Sequence, residues 1–181
     1  MREATSPPFV LVVGGANVDV KARASQPLVT GTSNPGTVVR APGGVRRTVA
    51  ENLARLGSRV SLVTAVGADT DGAWLLAETV AAGVMVNHAV RVGTSTGAYV
   101  AVLDTDGELL AGVSDMAAVD ALAPYLVPAE LVRSAALVVV DGNLPSATIA
   151  HVLDAAASGG ARGGGRAGGV FLLTHASGGR S

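Results

Sequence analysis

The alternation of short apolar runs with helical patterns constrains this chain most strongly. The run "FVLVVGG" (9–15) ends in two glycines, which is typical of a buried parallel strand that delivers a loop at its carboxyl end. Apolar residues at helical spacing from Val45 to Leu56 predict a helix that ends at Gly57. A strand over 59–67 and a helix over 69–83 repeat the order. An Asp or Thr caps this helix, and Asp69 and Asp71 are interpreted as its caps. We therefore expect an α/β fold with a mostly parallel sheet flanked by helices.

Two segments, 18–41 and 90–113, break this alternation and predict a projecting lid. The first holds prolines and glycines among β-forming residues, and the second is two strands joined by a turn at 105–107. We expect both to form a small antiparallel sheet. Thr96 and Tyr99 are placed on a lid strand, but the alternation does not tell which face of the sheet each one occupies.

The remainder of the chain predicts one more strand and helix, followed by a change in composition. "ALVVVDGNLP" (136–145) is a further core strand with its loop, and a helix is expected from Ser146 to Ala157. The glycine-arginine run that follows precedes a short strand, "VFLLT". We expect a domain over 1–158 and a diverged tail over 159–181.

Charge and composition exclude several classes of protein. The formal net charge of −1 gives no general field for nucleic acid or an acidic membrane surface, and no apolar run has the length of a membrane span. The chain has no cysteine and its three histidines lack metal-ligand spacing. No dinucleotide fingerprint or P-loop motif occurs. We expect a cytoplasmic protein with no nucleic-acid partner, membrane or metal site.

The start of the predicted helix at Val45 is unusual. Gly43 and Gly44 let a backbone approach another group closely, whereas Arg46 and Arg47 stand where the helix dipole disfavours cations. Arg47 is expected on a solvated face, paired with Glu51 at i+4. Arg46 either reaches an anionic substrate group or Asp19, or is a surface arginine whose stem lies along the protein.

Several motifs occur together in a specific order. They are "GGANVD", the glycine pair of "APGG", the helix end "LARLG", "AVGADTDG" and "STGAYVAVLDTDGEL". In this order they resemble the N-terminal part of the ribokinase-like (PfkB) carbohydrate kinases, and "GTSNPG", "AENLARLG" and "DGNLP" resemble the pseudouridine kinases within that family. The resemblance implies a ribokinase-like fold with a β-lid, of which the C-terminal part is missing from these 181 residues.

The resemblance also implies a substrate site. It matches Asp19 to the carboxylate that accepts hydrogen bonds from sugar hydroxyls, with Asn17 beside it as a turn former. Gly43 and Gly44 match the glycine pair that lets the sugar approach the helix. A strand-end cap at Asp19, and a tight turn without a ligand at the glycines, remain alternatives.

Other positions match the family less well. Small residues are usual where Arg46 stands, and Asn is usual where Thr48 stands. Thr48 therefore offers a shorter side chain, with a hydroxyl in place of an amide, at the position of a substrate contact. Asn143 falls at a strand end facing the same cleft, whereas Asp141 serves the cleft or caps the next helix.

The catalytic signature that the family carries near its C-terminus does not occur in this sequence. That G-A-G-D run supplies the base and the anion hole, and no such run is present. No catalytic residue is therefore assigned, and the nucleotide site for the implied ATP and Mg²⁺ is expected outside these residues. Two hypotheses remain: the substrate-binding and lid part of a sugar or nucleoside kinase, or a non-catalytic remnant that binds such a ligand or dimerises through its lid.

Overall fold

The computed structural model describes residues 7–158 and 169–173, and its strands and helices alternate as the sequence predicts. The strands are β1 (Val10–Val13), β2 (Asn17–Ala24), β3 (Gly36–Gly43), β4 (Val60–Val63), β5 (Ala65–Gly67), β6 (Val90–Val92), β7 (Ala98–Leu103), β8 (Leu109–Asp115), β9 (Leu137–Asp141) and β10 (Val170–Leu173). The helices are α1 (Val45–Arg55), α2 (Thr70–Ala81), α3 (Ala117–Asp120), α4 (Ala129–Ser134) and α5 (Ser146–Ser158), with a 3₁₀ turn at Pro124–Leu126. The remainder of the predicted tail lies outside the described residues.

The core sheet is parallel throughout and has the order β10-β9-β1-β4. Alternate residues of its strands point to opposite sides and pack on different helices. Leu11 and Val13 pack with Val152 of α5, whereas Val12 packs with Ala50 of α1. Because both faces are covered, the strands are apolar at nearly every position instead of alternating, and the polar exceptions are Ser61 and Asp141. The predicted α/β class is confirmed.

The lid is a second sheet of four strands, in the order β3-β2-β7-β8. The pairs β2–β3 and β7–β8 are antiparallel as predicted, but the central pair β2–β7 is parallel. The expected all-antiparallel lid is thus wrong at its centre, because β2 and β7 run side by side in the same direction. Nor does β6 belong to the lid, since it pairs in parallel with β5. The lid strands occupy 17–24, 36–43, 98–103 and 109–115.

The helix ends follow the predicted signals. Gly57 and Gly83 have φ of 88° beyond the ends of α1 and α2, the left-handed conformation that favours glycine.

The buried face of α1 agrees with the apolar spacing in the middle of the helix and differs at its two ends. Val49 and Leu53 pack against the core cluster of Val12 and Ala50, as the spacing predicts. Val45 and Leu56 are exposed, at 51% and 82% of their surface, although the spacing placed them on the same face. None of the helices in the described part of the chain combines the length and apolarity needed to span a bilayer.

Candidate functional site

The base of the lid brings together three of the predicted site residues, Asn17, Asp19 and Gly43. Asn17 and Gly43 are opposite each other in the β2–β3 pair. The Nδ2 of Asn17 donates a hydrogen bond of 2.7 Å to Oδ1 of Asp19. A Cβ on Gly43 would lie 2.3–2.7 Å from the carboxylate atoms of Asp19, so only glycine leaves room for this carboxylate. We call these three residues the lid-base cluster.

Asn17 in this cluster is not a turn former. It is the first residue of β2 and is 5% exposed, and its amide supports Asp19. Asp19 lies within the strand and is half-buried. The hydrogen bond from Asn17 satisfies one oxygen of the Asp19 carboxylate. The other lone pairs of this carboxylate remain available for hydroxyl donors.

Gly44 positions the N-terminus of α1 against the loop that follows β1. Its φ of 93° favours glycine, and a Cβ there would lie 2.6 Å from the carbonyl oxygen of Gly15. The amide of Arg47 donates to the same Gly15 oxygen. The first turn of α1 has neither a side-chain cap nor an acidic residue. This helix start is therefore an uncapped, positive end that can receive hydroxyl or anionic groups.

Arg46 is buried instead of lying at the surface. The residue is 2% exposed, and its guanidinium lies 3.3 Å from Oδ1 of Asp141, the last residue of β9. It also donates to the carbonyl oxygen of Leu173 at the end of β10. A Cβ on Gly14 would lie 2.4 Å from the Cγ of Arg46, so the bare glycine after β1 accommodates the arginine stem. Arg46 thus covers the carboxyl ends of β1, β9 and β10.

Asp141 neutralises Arg46 and also orders two loops. Its Oδ2 accepts from the amide of Gly15, and its Oδ1 accepts from the amide of Asn143. The sequence suggested Asp141 either for the cleft or as a helix cap, and it placed Arg46 near Asp19 or on the surface. Sequence reasoning missed this ion pair because the two residues lie 95 positions apart and no local pattern links them.

Arg47 was expected on a solvated face, and that expectation is wrong. It is 4% exposed and bonds to Thr79 of α2 and to the carbonyl oxygen of Pro42. The predicted pair with Glu51 is present at 2.7 Å. Arg47 therefore connects α1, α2 and the end of β3.

Asp69 joins the N-terminus of α2 to the segment that leads into β7. As the predicted N-cap it accepts from the amide of Gly72, and its carboxylate also accepts from the amide and hydroxyl of Thr96. These hydrogen bonds lower the pKa of Asp69 below its ordinary value of 3.8. The hydrogen bond from the Thr96 hydroxyl makes the largest contribution. Thr96 is thus buried before the lid strand, not on it.

The other two predicted contacts are exposed. Thr48 lies on the surface of α1, and Asn143 lies in the turn after β9. Within the described ranges, no hydrogen bond links either side chain to the lid-base cluster. Their contact with a substrate remains a prediction.

The resemblance implies Mg²⁺, for which the described residues were compared with the usual grouping of metal ligands. Within 7–158 and 169–173, no three His, Cys, Asp or Glu side chains are grouped to hold a metal ion. By the resemblance, the nucleotide site also belongs to a later region. The chemistry that can be derived from these residues therefore concerns the acceptor.

Comparison with known proteins agrees with this architecture. The family model for pfkB family carbohydrate kinases matches residues 7–164. The pseudouridine kinase of Escherichia coli (strain K12) is 39% identical over 153 residues, which are 83% of this chain and 49% of that protein. The chain thus spans about half the length of this relative.

Solved structures extend the agreement to the fold. A carbohydrate kinase from Agrobacterium tumefaciens superposes with a TM-score of 0.77 at 27% identity, over 85% of this chain and 52% of that one. A ribokinase from Arabidopsis thaliana, solved with ribose and ATP, gives a TM-score of 0.76 at 23% identity, over 93% and 53%. The chain belongs to the pfkB family of carbohydrate kinases.

Proposed function

We propose that this chain binds the acceptor of a kinase that phosphorylates a hydroxyl group of a sugar or nucleoside, in the manner of a pseudouridine kinase. The observation that carries this proposal is the Asp19 carboxylate. It lies at the lid base, oriented by Asn17 and in contact with the bare backbone of Gly43. The similarity to pseudouridine kinases supports the same acceptor class.

The chemistry of this cluster suits a vicinal diol. A carboxylate only accepts hydrogen bonds, and its two oxygens can each take one O–H from hydroxyls on neighbouring carbons. Asn17 fixes the rotation of the carboxylate, so less conformational entropy is lost on binding. The uncapped start of α1, set by Gly44, offers amide groups on the adjacent side. Thr48 and Asn143 are proposed as peripheral contacts.

Phosphoryl transfer requires a nucleotide and a base in addition to this acceptor site. Membership of a kinase family implies ATP and a divalent cation in general. These would be held by residues outside the lid-base cluster. We propose a cytoplasmic setting for this reaction.

A second candidate function is ligand binding without catalysis. The observation that favours it is Arg46, which covers three strand ends at the carboxyl edge where ligands of open α/β sheets bind. The family usually has a small residue where Arg46 stands. A chain with an arginine at this position can still hold a sugar at Asp19. The two candidates share the acceptor site and differ only in turnover.

The acceptor site is tested by titration calorimetry with pseudouridine, ribose and fructose. Replacing Asp19 by Asn keeps the shape and removes the charge. We expect affinity to fall roughly tenfold to a hundredfold, which corresponds to the loss of about 1.5–3 kcal/mol for a hydrogen bond to a charged group. Asp106→Asn, at the exposed hairpin turn of the lid, is the matched control and should bind as the parent does. Equal affinity in Asp19→Asn would refute the site.

We also propose that the lid forms a homodimer. Val38, Val100 and Val113 are exposed on one face of the lid sheet, opposite to the face that carries Asp19. A second copy would remove these side chains from water. Sedimentation should show a concentration-dependent dimer that Val113→Lys weakens, and a monomer at all concentrations would refute it.

A further inference from the structure

We infer that Tyr99 determines specificity by stacking on the planar base of a nucleoside whose ribose is bound by Asp19. This inference rests on the proposed function, because Asp19 must first hold the sugar. It narrows the acceptor class from sugars in general to nucleosides. The sequence alone left the face occupied by Tyr99 undecided.

The strand register places Tyr99 beside Asp19. In the parallel pair of β2 and β7, Asp19 is directly opposite Tyr99. Directly paired residues point to the same face of a sheet and are separated by one strand spacing, about 4.8 Å. Tyr99 therefore shares the face of the substrate carboxylate, one strand further out.

The other face of the lid has a different environment. Arg40 is paired with Val20, the residue after Asp19, and therefore points the opposite way. It forms an ion pair with Asp71 and lies 5.0 Å from the ring centre of Trp74 in α2. This face is thus fastened to α2 at Arg40, whereas Val38 and Val113 elsewhere on it are exposed. The face carrying Asp19 and Tyr99 is the opposite one.

The ring of Tyr99 lies across the neighbouring strand β8. A Cβ on Gly112 would lie 2.7 Å from the Tyr99 hydroxyl oxygen and 3.2–3.3 Å from two ring carbons. The bare glycine therefore lets the ring lie against the backbone of the sheet. The residue remains half-buried, which leaves part of the ring accessible.

Three small residues lie near Asp19 and Tyr99 on this face, which also carries Lys21 of β2, directly opposite Ala101. Ala41 is opposite Asp19 on β3, Ser114 is opposite Tyr99 on β8, and Ala101 follows Tyr99 at the next position on the same face. None of these side chains is large enough to cover the aromatic surface. A flat ring next to a diol-binding carboxylate matches the two parts of a nucleoside, since a base stacks on any aromatic face.

The test compares pseudouridine with ribose in titration calorimetry. Tyr99→Leu should weaken binding of pseudouridine roughly tenfold to a hundredfold, the usual effect of removing an aromatic stacking partner, and should leave binding of ribose unchanged. Tyr99→Phe should keep the affinity for both ligands, because stacking needs the ring and not the hydroxyl. Tyr125→Leu is the matched control at the other, exposed tyrosine. Thermal unfolding of each variant verifies the fold.

The outcomes separate this inference from the proposed function. Equal losses for ribose and pseudouridine in Tyr99→Leu would show that Tyr99 only supports the lid, and would overturn the inference. A loss in Tyr99→Phe equal to that in Tyr99→Leu would show a hydroxyl contact and overturn stacking. Either result leaves the proposed function intact if Asp19→Asn still weakens ribose binding roughly tenfold to a hundredfold. A folded parent chain that binds neither ligand at millimolar concentration would overturn both.

Discussion

The guanidinium of Arg46, in the first turn of α1, lies 3.3 Å from Oδ1 of Asp141 at the end of β9. The two side chains are 3% and 9% exposed, so the pair is isolated from water. The Nε of Arg46 has no hydrogen-bond partner among the described residues, which adds a desolvation cost. Burying this ion pair therefore carries a desolvation cost. Removing either charge would leave the other one buried without its partner.

Replacing Arg46 by Met should lower the free energy of unfolding by about 3 kcal/mol, because it leaves the Asp141 carboxylate buried without its partner. The double variant with Asp141→Asn should recover part of this loss. Urea denaturation of the two single variants and the double variant measures the coupling energy. Arg55→Met, at an arginine whose side chain is 67% exposed, is the control and should change stability by less than about 1 kcal/mol. Strictly additive losses would show that the two residues are not coupled.

Gly43→Ala should weaken ribose binding roughly tenfold, the equivalent of about one charge-assisted hydrogen bond. The added methyl group would lie within 2.7 Å of the Asp19 carboxylate and must displace it. Titration calorimetry measures the effect. Gly93→Ala is the matched control, because a Cβ there meets no atom within 4 Å. Unchanged affinity in Gly43→Ala would show that Asp19 moves without consequence for the ligand.

Asp69→Asn should lower stability at neutral pH by about 1–2 kcal/mol. Asn can still cap the helix, but its amide nitrogen cannot accept the hydrogen bond that the Thr96 amide donates to the second carboxylate oxygen. The pKa of Asp69 is lower in the folded chain than in the unfolded chain. Its contribution is therefore fully present above about pH 4 and is lost as the pH falls through the folded pKa. Unfolding free energies measured from about pH 7 to about pH 2 should converge for parent and variant at the acidic end. Asp71→Asn is the exposed control, and a constant difference at all pH values would refute the assignment.

The 181-residue chain assayed alone should release no ADP that depends on a sugar or nucleoside. The residues resembling the family supply acceptor contacts, whereas the G-A-G-D run with its base and anion hole does not occur in the sequence. A general base alone contributes typically about a hundredfold to ten-thousandfold. A coupled assay with pseudouridine and ribose, without and with a C-terminal half from a homologous kinase, measures turnover. Turnover by the chain alone that Asp19→Ala abolishes would contradict this expectation.

The sequence predicted those structural features that depend only on residues close together in the chain. Glycines beyond the helix ends, the Asp69 cap and the apolar strands each follow from a few neighbouring residues, and all were confirmed. The hydrogen bond from Asn17 to Asp19 joins residues two apart, yet only the strand conformation shows that they share a face.

The remaining features depend on register and on contacts between distant elements. Arg46 and Asp141, or Asp69 and Thr96, meet only after the sheet is assembled. The apolar spacing of α1 predicted that Val49 and Leu53 pack on the core, but it did not predict the burial of Arg46 and Arg47. Hydrophobic periodicity takes no account of buried polar partners. The parallel pairing of β2 with β7 likewise follows from topology, not from propensity.

This parallel pairing also has a consequence for how the chain folds. Val18 pairs with Ala98, and the intervening chain contains α1, α2 and the strands between them. Closing so long a loop is entropically costly before those elements are compact, and contacts of high sequence separation form slowly. We therefore expect β7 to join the lid only after the core around β1 and β4 has formed. The β2–β3 pair, which carries Asp19, spans a shorter segment of chain and is expected to form earlier than the pair of β2 with β7, which brings Tyr99 beside it.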